Sequence, residues 1–278
     1  MLNDKDSLKE KLKIIKNNNY EITSDINYYQ LTIEMLEYIG SPDSEFRDEL
    51  IYSILSNWII KEVFTPEQIR EVLKICLDDQ HLFYKVGEIE SDSVFTRSFS
   101  VLLIPPILIT HRKNNILSKS EVLNLFNKII QYVREEKDLR GYIKNNGWAH
   151  SVAHSADALD EFAMCRYIGH DELLEMLKII KFKVSERQYA YVYEEDERMV
   201  TAVVNIIERR ELKESEIIDW LEGFKVLEKS KAFIGDDYLN FNVKNFLRSL
   251  YFRLLDEKDL AIINNSVKNT LDSISNFK

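Results

Sequence analysis

Residues 118–135 read SKSEVLNLFNKIIQYVRE, and their spacing decides the fold class. Val122, Leu125, Phe126, Ile129 and Ile130 recur at intervals of three and four, which is the apolar stripe of an amphipathic helix. Ser118 and Glu121 precede the stripe at the spacing of a capping box. The same period returns on both sides of this segment. It runs through Ile51, Ile54, Leu55 and Trp58, then through Ile69, Val72, Leu73 and Cys76. Beyond it come Leu173, Leu174, Leu177 and Ile180, then Val200, Val203, Val204 and Ile207, then Phe246, Leu250 and Leu254. Thr65-Pro66-Glu67 supplies an N-cap, a proline at the first helical position and an acid facing the helix dipole.

These signals place helices near residues 5–17, 25–39, 44–61, 66–78, 94–110, 118–136, 147–168, 171–182, 195–210, 214–229, 237–254 and 257–276. The chain has only 7 Gly and 4 Pro, too few for a turn-rich β architecture. The expected class is therefore all-α. Short connections make sequential helices antiparallel neighbours. About six such pairs in a row suit an α-solenoid of the HEAT type, although no clean sequence repeat accompanies them; a compact helical bundle is the alternative. With 278 residues, 45% of them hydrophobic, one domain covering residues 1–278 can bury its own core. The polar stretch near 185–197 is the candidate hinge.

Charge and composition exclude several classes. The formal net charge is −10, from 47 acidic and 37 basic residues, which argues against nucleic acid as a partner. Cys76 and Cys165 sit in apolar helical patterns and are expected as buried thiols in a reducing compartment. The amino terminus, MLNDKDSLKEKLKII, has no apolar signal core. No uninterrupted apolar run reaches the roughly 20 residues that span a bilayer, so the expected location is the cytoplasm, with no membrane partner. P-loop, dinucleotide-fingerprint, nucleophile-elbow and zinc-finger patterns are all missing from the sequence.

One stretch differs from the rest: KDLRGYIKNNGWAHSVAHSADALDEFA, starting at Lys137. Asn145-Asn146-Gly147 signals a turn, after which Trp148 is expected to open a helix. On that helix His154, Asp157 and Glu161 fall about +40°, −20° and +20° from His150, while Trp148 lies on the opposite side. Two of the chain's five histidines thus share a stripe with two carboxylates. Such a stripe can bind one metal ion. A carboxylate one turn away can also orient an imidazole as a general base, and a plain solvated or hydrogen-bonded face remains open. Ser151 stands where a zinc protease of the H-E-x-x-H type would carry its glutamate, which excludes that class.

Arg97 lies between Phe95 and Phe99 at the start of an apolar helix. If buried, its guanidinium must find acceptors, either as a clamp on a helix end or as an anion site. Tyr193-Glu194-Glu195-Asp196-Glu197-Arg198 reads as a solvated helix start that could also supply carboxylates to the His stripe or pair with Arg140. His111 and His170 fall at expected helix ends and His81 after an acidic turn, where capping explains them.

Gly147-Trp148-Ala149-His150, Ala153-His154 and Ala156-Asp157 resemble the central motif of DUF2785, a bacterial family of unknown function. Phe95-Thr96-Arg97-Ser98-Phe99-Ser100 and Asp138-Leu139-Arg140-Gly141-Tyr142 look like two more of its motifs, in the expected order. Phe46-Arg47-Asp48 and Asp196-Glu197-Arg198 are similar to weaker ones. The resemblance covers about residues 40 to 210 and implies an all-helical fold. It names no substrate, cofactor or partner.

Three functions follow as expectations. The first is a binding or scaffold module for a protein, a peptide or a small anionic ligand. In the second, a small hydrolase-type enzyme uses His150, His154 and Asp157, with or without a metal held by them. In the third, a ligand binder engages an anion through Arg97 and Arg140 and stacks it on Trp148. Glu161, Asp196 and Arg198 complete the set of candidate ligand contacts, and His150, His154 and Asp157 are expected to line one concave pocket.

Overall fold

The computed structural model describes residues 4–21, 26–228 and 233–275. It is all-α apart from one two-stranded hairpin among those residues. The helix ends expected at 25, 229 and 276 lie outside the described residues.

The chain divides into two compact units, Met1–Ala158 and Leu159–Lys278. The first begins with α1 (Asp4–Asn17) and α2 (Tyr28–Glu37), then a π-helical segment, Glu45–Tyr52, that runs into α3 (Ser53–Ile60). It continues through α4 (Pro66–Cys76), α5 (Ser93–Leu102), α6 (Ile104–Asn114) and α7 (Lys119–Glu135). The hairpin strands β1 (Tyr142–Ile143) and β2 (Gly147–Trp148) follow, and then α8 (Ser151–Ala163), which runs into the second unit. That unit holds α9 (His170–Val184), α10 (Glu195–Glu208), α11 (Glu214–Glu222), α12 (Phe233–Arg253), a 3-10 turn at Lys258–Leu260 and α13 (Ala261–Ile274).

Local sequence explains most boundaries. Both expected caps form: Ser118 with Glu121 opens α7, and Thr65 with Gln68 opens α4 ahead of Pro66. The single helix expected over 94–110 is instead two, α5 and α6, separated at Leu103. Pro105 and Pro106 cause the break, because neither offers an N–H and each ring crowds the preceding turn. By length and composition Ser93–Asn114 could cross a membrane, but most of it is buried inside the protein. The Thr110 hydroxyl ties α6 to α3 through a 3.0 Å bond to the Ile59 carbonyl.

Within the first unit α3 packs on α6, α2 on α4, and α1 on the π-helical segment. In the second, α12 packs on α9, α10 and α13. Residues 185–194 have no regular structure and are fastened to α12 by buried Asn242. Its side-chain carbonyl accepts the Tyr191 N–H at 2.9 Å, and its amide donates to the Tyr189 carbonyl at 2.9 Å. Cys76 and Cys165 are free and buried, and burial pushes the Cys76 thiol up to about 12.

Candidate functional site

The stretch after α7 turns back on itself. Tyr142 pairs with Trp148 and Ile143 with Gly147, antiparallel. The turn is closed by the Asn146 N–H, which donates to the Ile143 carbonyl at 3.1 Å. Two more bonds extend the pairing: Ala149 N–H to the Gly141 carbonyl at 2.8 Å and His150 N–H to the Arg140 carbonyl at 3.1 Å. Asn145, Gly147 and His150 have φ of 71°, 82° and 48°. Residues in that left-handed region cannot belong to a right-handed helix, so α8 starts at Ser151 and not at 147. Trp148 is therefore a strand residue, and His150 precedes the helix instead of sitting on it.

Arg47, on the π-helical segment, locks the hairpin from behind. It is fully buried and sits over the Phe95 and Phe99 rings, 4.0 and 4.6 Å from their centroids. Nη1 donates to the Ser41 carbonyl at 2.6 Å, and Nη2 to the Asn146 and Trp148 carbonyls at 2.8 and 3.4 Å. Ala149 packs with Val94 and Phe95 of α5, and Ile143 joins them. Glycine is required at 147. A Cβ there would lie 2.7 Å from the Ser44 Cβ and 3.2 Å from Nη2 of Arg47.

Arg97 and Arg140 hold the other leg. Arg97 is fully buried and forks onto Glu136, with bonds of 2.6 and 2.9 Å. It also donates to the Tyr84 carbonyl at 3.0 Å and to Ser93 Oγ at 2.8 Å. Burial alone would lower its pKa, but Glu136 reverses that and holds it above the ordinary value. Glu136 also accepts the N–H groups of Lys137 and Asp138, each at 2.9 Å. Asp138 in turn grips Arg140, at 2.8 and 2.6 Å, and Arg140 reaches the Ser91 carbonyl at 2.8 Å. Both guanidiniums are thus directed at acceptors of the protein itself.

The front of the hairpin is aromatic. Tyr142 and Trp148 are 50% and 39% exposed and meet edge to face at 5.0 Å. The sequence placed Trp148 and His150 on opposite sides of a helix. They stack instead, with centroids 4.3 Å apart and planes 23° apart, because residues on an extended leg are not separated by helical rotation. His150 then meets His154 edge-on at 5.8 Å, and His154 meets Phe99 at 5.3 Å. Both imidazoles are 6% exposed. Nδ1 of His154 lies 3.1 Å from the Ser98 carbonyl. A carbonyl can only accept, so that bond assigns the proton to Nδ1 and leaves Nε2 as the basic nitrogen of the neutral ring.

Asp157 follows His154 by three residues on α8 and is half-buried. Glu161, Asp196 and Arg198 belong to the second unit. Among the described residues no group of three His, Cys, Asp or Glu side chains is placed to hold a metal ion. Two cavities of the first unit, of about 470 and 560 Å³, are lined by other residues. The acidic start of α10 is solvated only in part: Glu194 and Glu197 are exposed, whereas Glu195 is buried. Glu195 is 1% exposed and accepts the Tyr193 N–H at 2.8 Å, and burial raises the carboxyls of Glu195 and Asp196. Of the remaining histidines, His111 accepts the Leu117 N–H, His81 meets Asp78, and His170 lies between Asp171 and Glu216 of α11.

Asp48 and Tyr142 stand in the sequence only as members of two motif stretches, with no role assigned to either. Nε of Arg47 is 2.7 Å from Oδ1 of Asp48, a charge contact without an aligned hydrogen bond. Burial outweighs that contact, lowers the Arg47 pKa and pushes the Asp48 carboxyl up to about 6. The sign follows from linkage. The folded protein keeps this proton at a higher pH than the unfolded chain, whose value is near 3.8. Stability from this group is therefore lost as pH rises from about 4 to about 6, by about 2–3 kcal/mol. Asp48→Asn should remove that slope in urea unfolding measured across the window. Parallel profiles for wild type and variant would contradict the assignment.

No curated protein and no solved structure matches the chain. Residues 82–252, which hold α5, the hairpin and α8, match the model of the family described as protein of unknown function (DUF2785), and the chain belongs to that family.

Proposed function

We propose that this protein is a binding module that recognises a peptide or protein segment through the hairpin, with Trp148 and Tyr142 as anchors. One observation carries the reading: two large aromatic side chains face solvent on a hairpin whose backbone is fixed from behind by Arg47 and Arg140. Aromatic anchors contribute much contact area and lose few rotatable bonds on binding. His150 occupies the rear face of the indole, so a partner meets its edge and outer face. The engagement of Arg97 by Glu136 and of Arg140 by Asp138 favours a peptide over a small anion. The net charge of −10 favours a basic peptide, whose cations can also lie on the indole.

The test is to pan a displayed peptide library on the wild-type protein, with counter-selection on Trp148→Ala. Peptides that survive counter-selection, enriched in Lys or Arg, are the expected result. Enrichment only of peptides that bind both proteins alike would overturn the proposal.

A further inference from the structure

The longest helix described is apolar on two sides. Leu239, Val243, Phe246, Leu247 and Leu250 of α12 are buried, on the side that packs on its neighbours. Ile234, Phe241 and Phe252 are 65%, 41% and 68% exposed. At about 100° per residue these three, with exposed Asp237 and Arg248, fall within about 60° of one another, opposite the buried face. The stripe runs about 27 Å from Ile234 to Phe252 at ~1.5 Å per residue. A surface helix normally keeps that face polar, and large exposed apolar side chains aligned on it, here interspersed with charge, suit a contact surface.

The order of residues in the stripe identifies its occupant. We propose that the outer face of α12 is a two-fold interface between copies of this chain, in which two α12 helices lie antiparallel. A dyad level with position 243 along the axis sets Ile234 of one copy opposite Phe252 of the other. The same dyad sets Asp237 opposite Arg248 of the second copy, offset by one residue or about 1.5 Å along the axis. One register thus satisfies both the apolar pair and the charge pair, each twice, as an isologous contact requires. The two Phe241 rings approach across the dyad, about 6 Å apart along the axis. Neither Asp237 nor Arg248 has an ion-pair partner among the described residues, so both are available to a second copy.

The test is sedimentation of the full chain over about 1 to 500 µM, a range that brackets weak and firm dimers. The wild type should show a concentration-dependent dimer. Asp237→Arg and Arg248→Asp should each weaken it at least about tenfold, because each sets like charges face to face. The double variant should restore dimerisation to within about threefold of wild type. That rescue separates a lost contact from a misfolded variant, and circular dichroism checks helicity in each. A wild type that stays monomeric throughout would overturn the proposal and leave the stripe to a different partner. A dimer indifferent to both single reversals would overturn it too, by placing the interface on another face.

Discussion

Replacing Arg97 with methionine should destabilise the protein by about 3–5 kcal/mol, the usual cost of removing one member of a buried ion pair. The size follows from what is left behind. Glu136 is 2% exposed and would remain buried without its bidentate cation, while the Tyr84 carbonyl and Ser93 Oγ would lose a donor. The effect reaches the hairpin, because Glu136 also positions the Lys137 and Asp138 backbone that leads into it. Replacing Glu136 with methionine as well should cost less than the sum of the two single changes, since no lone charge then stays buried. Urea unfolding measures all three variants. A loss below about 1 kcal/mol for Arg97→Met would mean that water reaches Glu136 and that Arg97 is not the clamp described.

Gly147→Ala should cost about 2–4 kcal/mol, combining an unfavourable left-handed backbone with overpacking. Gly147 has φ of 82°, and its added Cβ would fall 2.7 Å from the Ser44 Cβ. Gly87 provides the control. Its φ is 92°, but nothing lies within 4 Å of an added Cβ, so Gly87→Ala should cost only the conformational part, about 1–2 kcal/mol. Thermal unfolding compares the pair. Equal losses at both positions would show that crowding against Ser44 and Arg47 plays no part. The expected excess at Gly147 comes from pushing aside Ser44 and then Arg47, whose bonds to the Asn146 and Trp148 carbonyls would loosen.

The helical part of this fold was largely legible because its cause is local. The caps at Ser118 and Thr65 and the stripe from Val122 to Ile130 depend on residues within one or two turns, and α7 starts and ends within a residue of its expected bounds. The break between α5 and α6 was written in Pro105-Pro106, but the apolar run on either side masked it. The hairpin had its signal in the turn residues Asn145-Asn146-Gly147, of which Asn145 and Gly147 take positive φ. Strands of two residues are too short to show a period of two, so the helical pattern of Val152 to Ala163 was extended backward over Trp148 and His150.

Site contacts across the sequence were out of reach for a different reason. In sequence Phe95 and Phe99 flank Arg97, two residues to either side. On α5 they point away from it and cover Arg47 instead. Helical spacing fixes which residues share a face, and Phe95 and Phe99, four apart, do. It does not say which cation from a distant segment will occupy that face. Tyr142 stands in a motif stretch without a role, and its pairing with Trp148 across the hairpin supplies one.

The most direct measurement is the dissociation constant of a peptide recovered by the panning, titrated by fluorescence anisotropy against single-site variants. Trp148→Ala and Tyr142→Ala should each weaken binding at least about tenfold, as loss of a central aromatic anchor does. Ile89→Ala, which removes a side chain 59% exposed elsewhere on the first unit, should leave the constant within about twofold. A peptide that binds wild type and Trp148→Ala with the same constant would contradict the hairpin as the recognition surface.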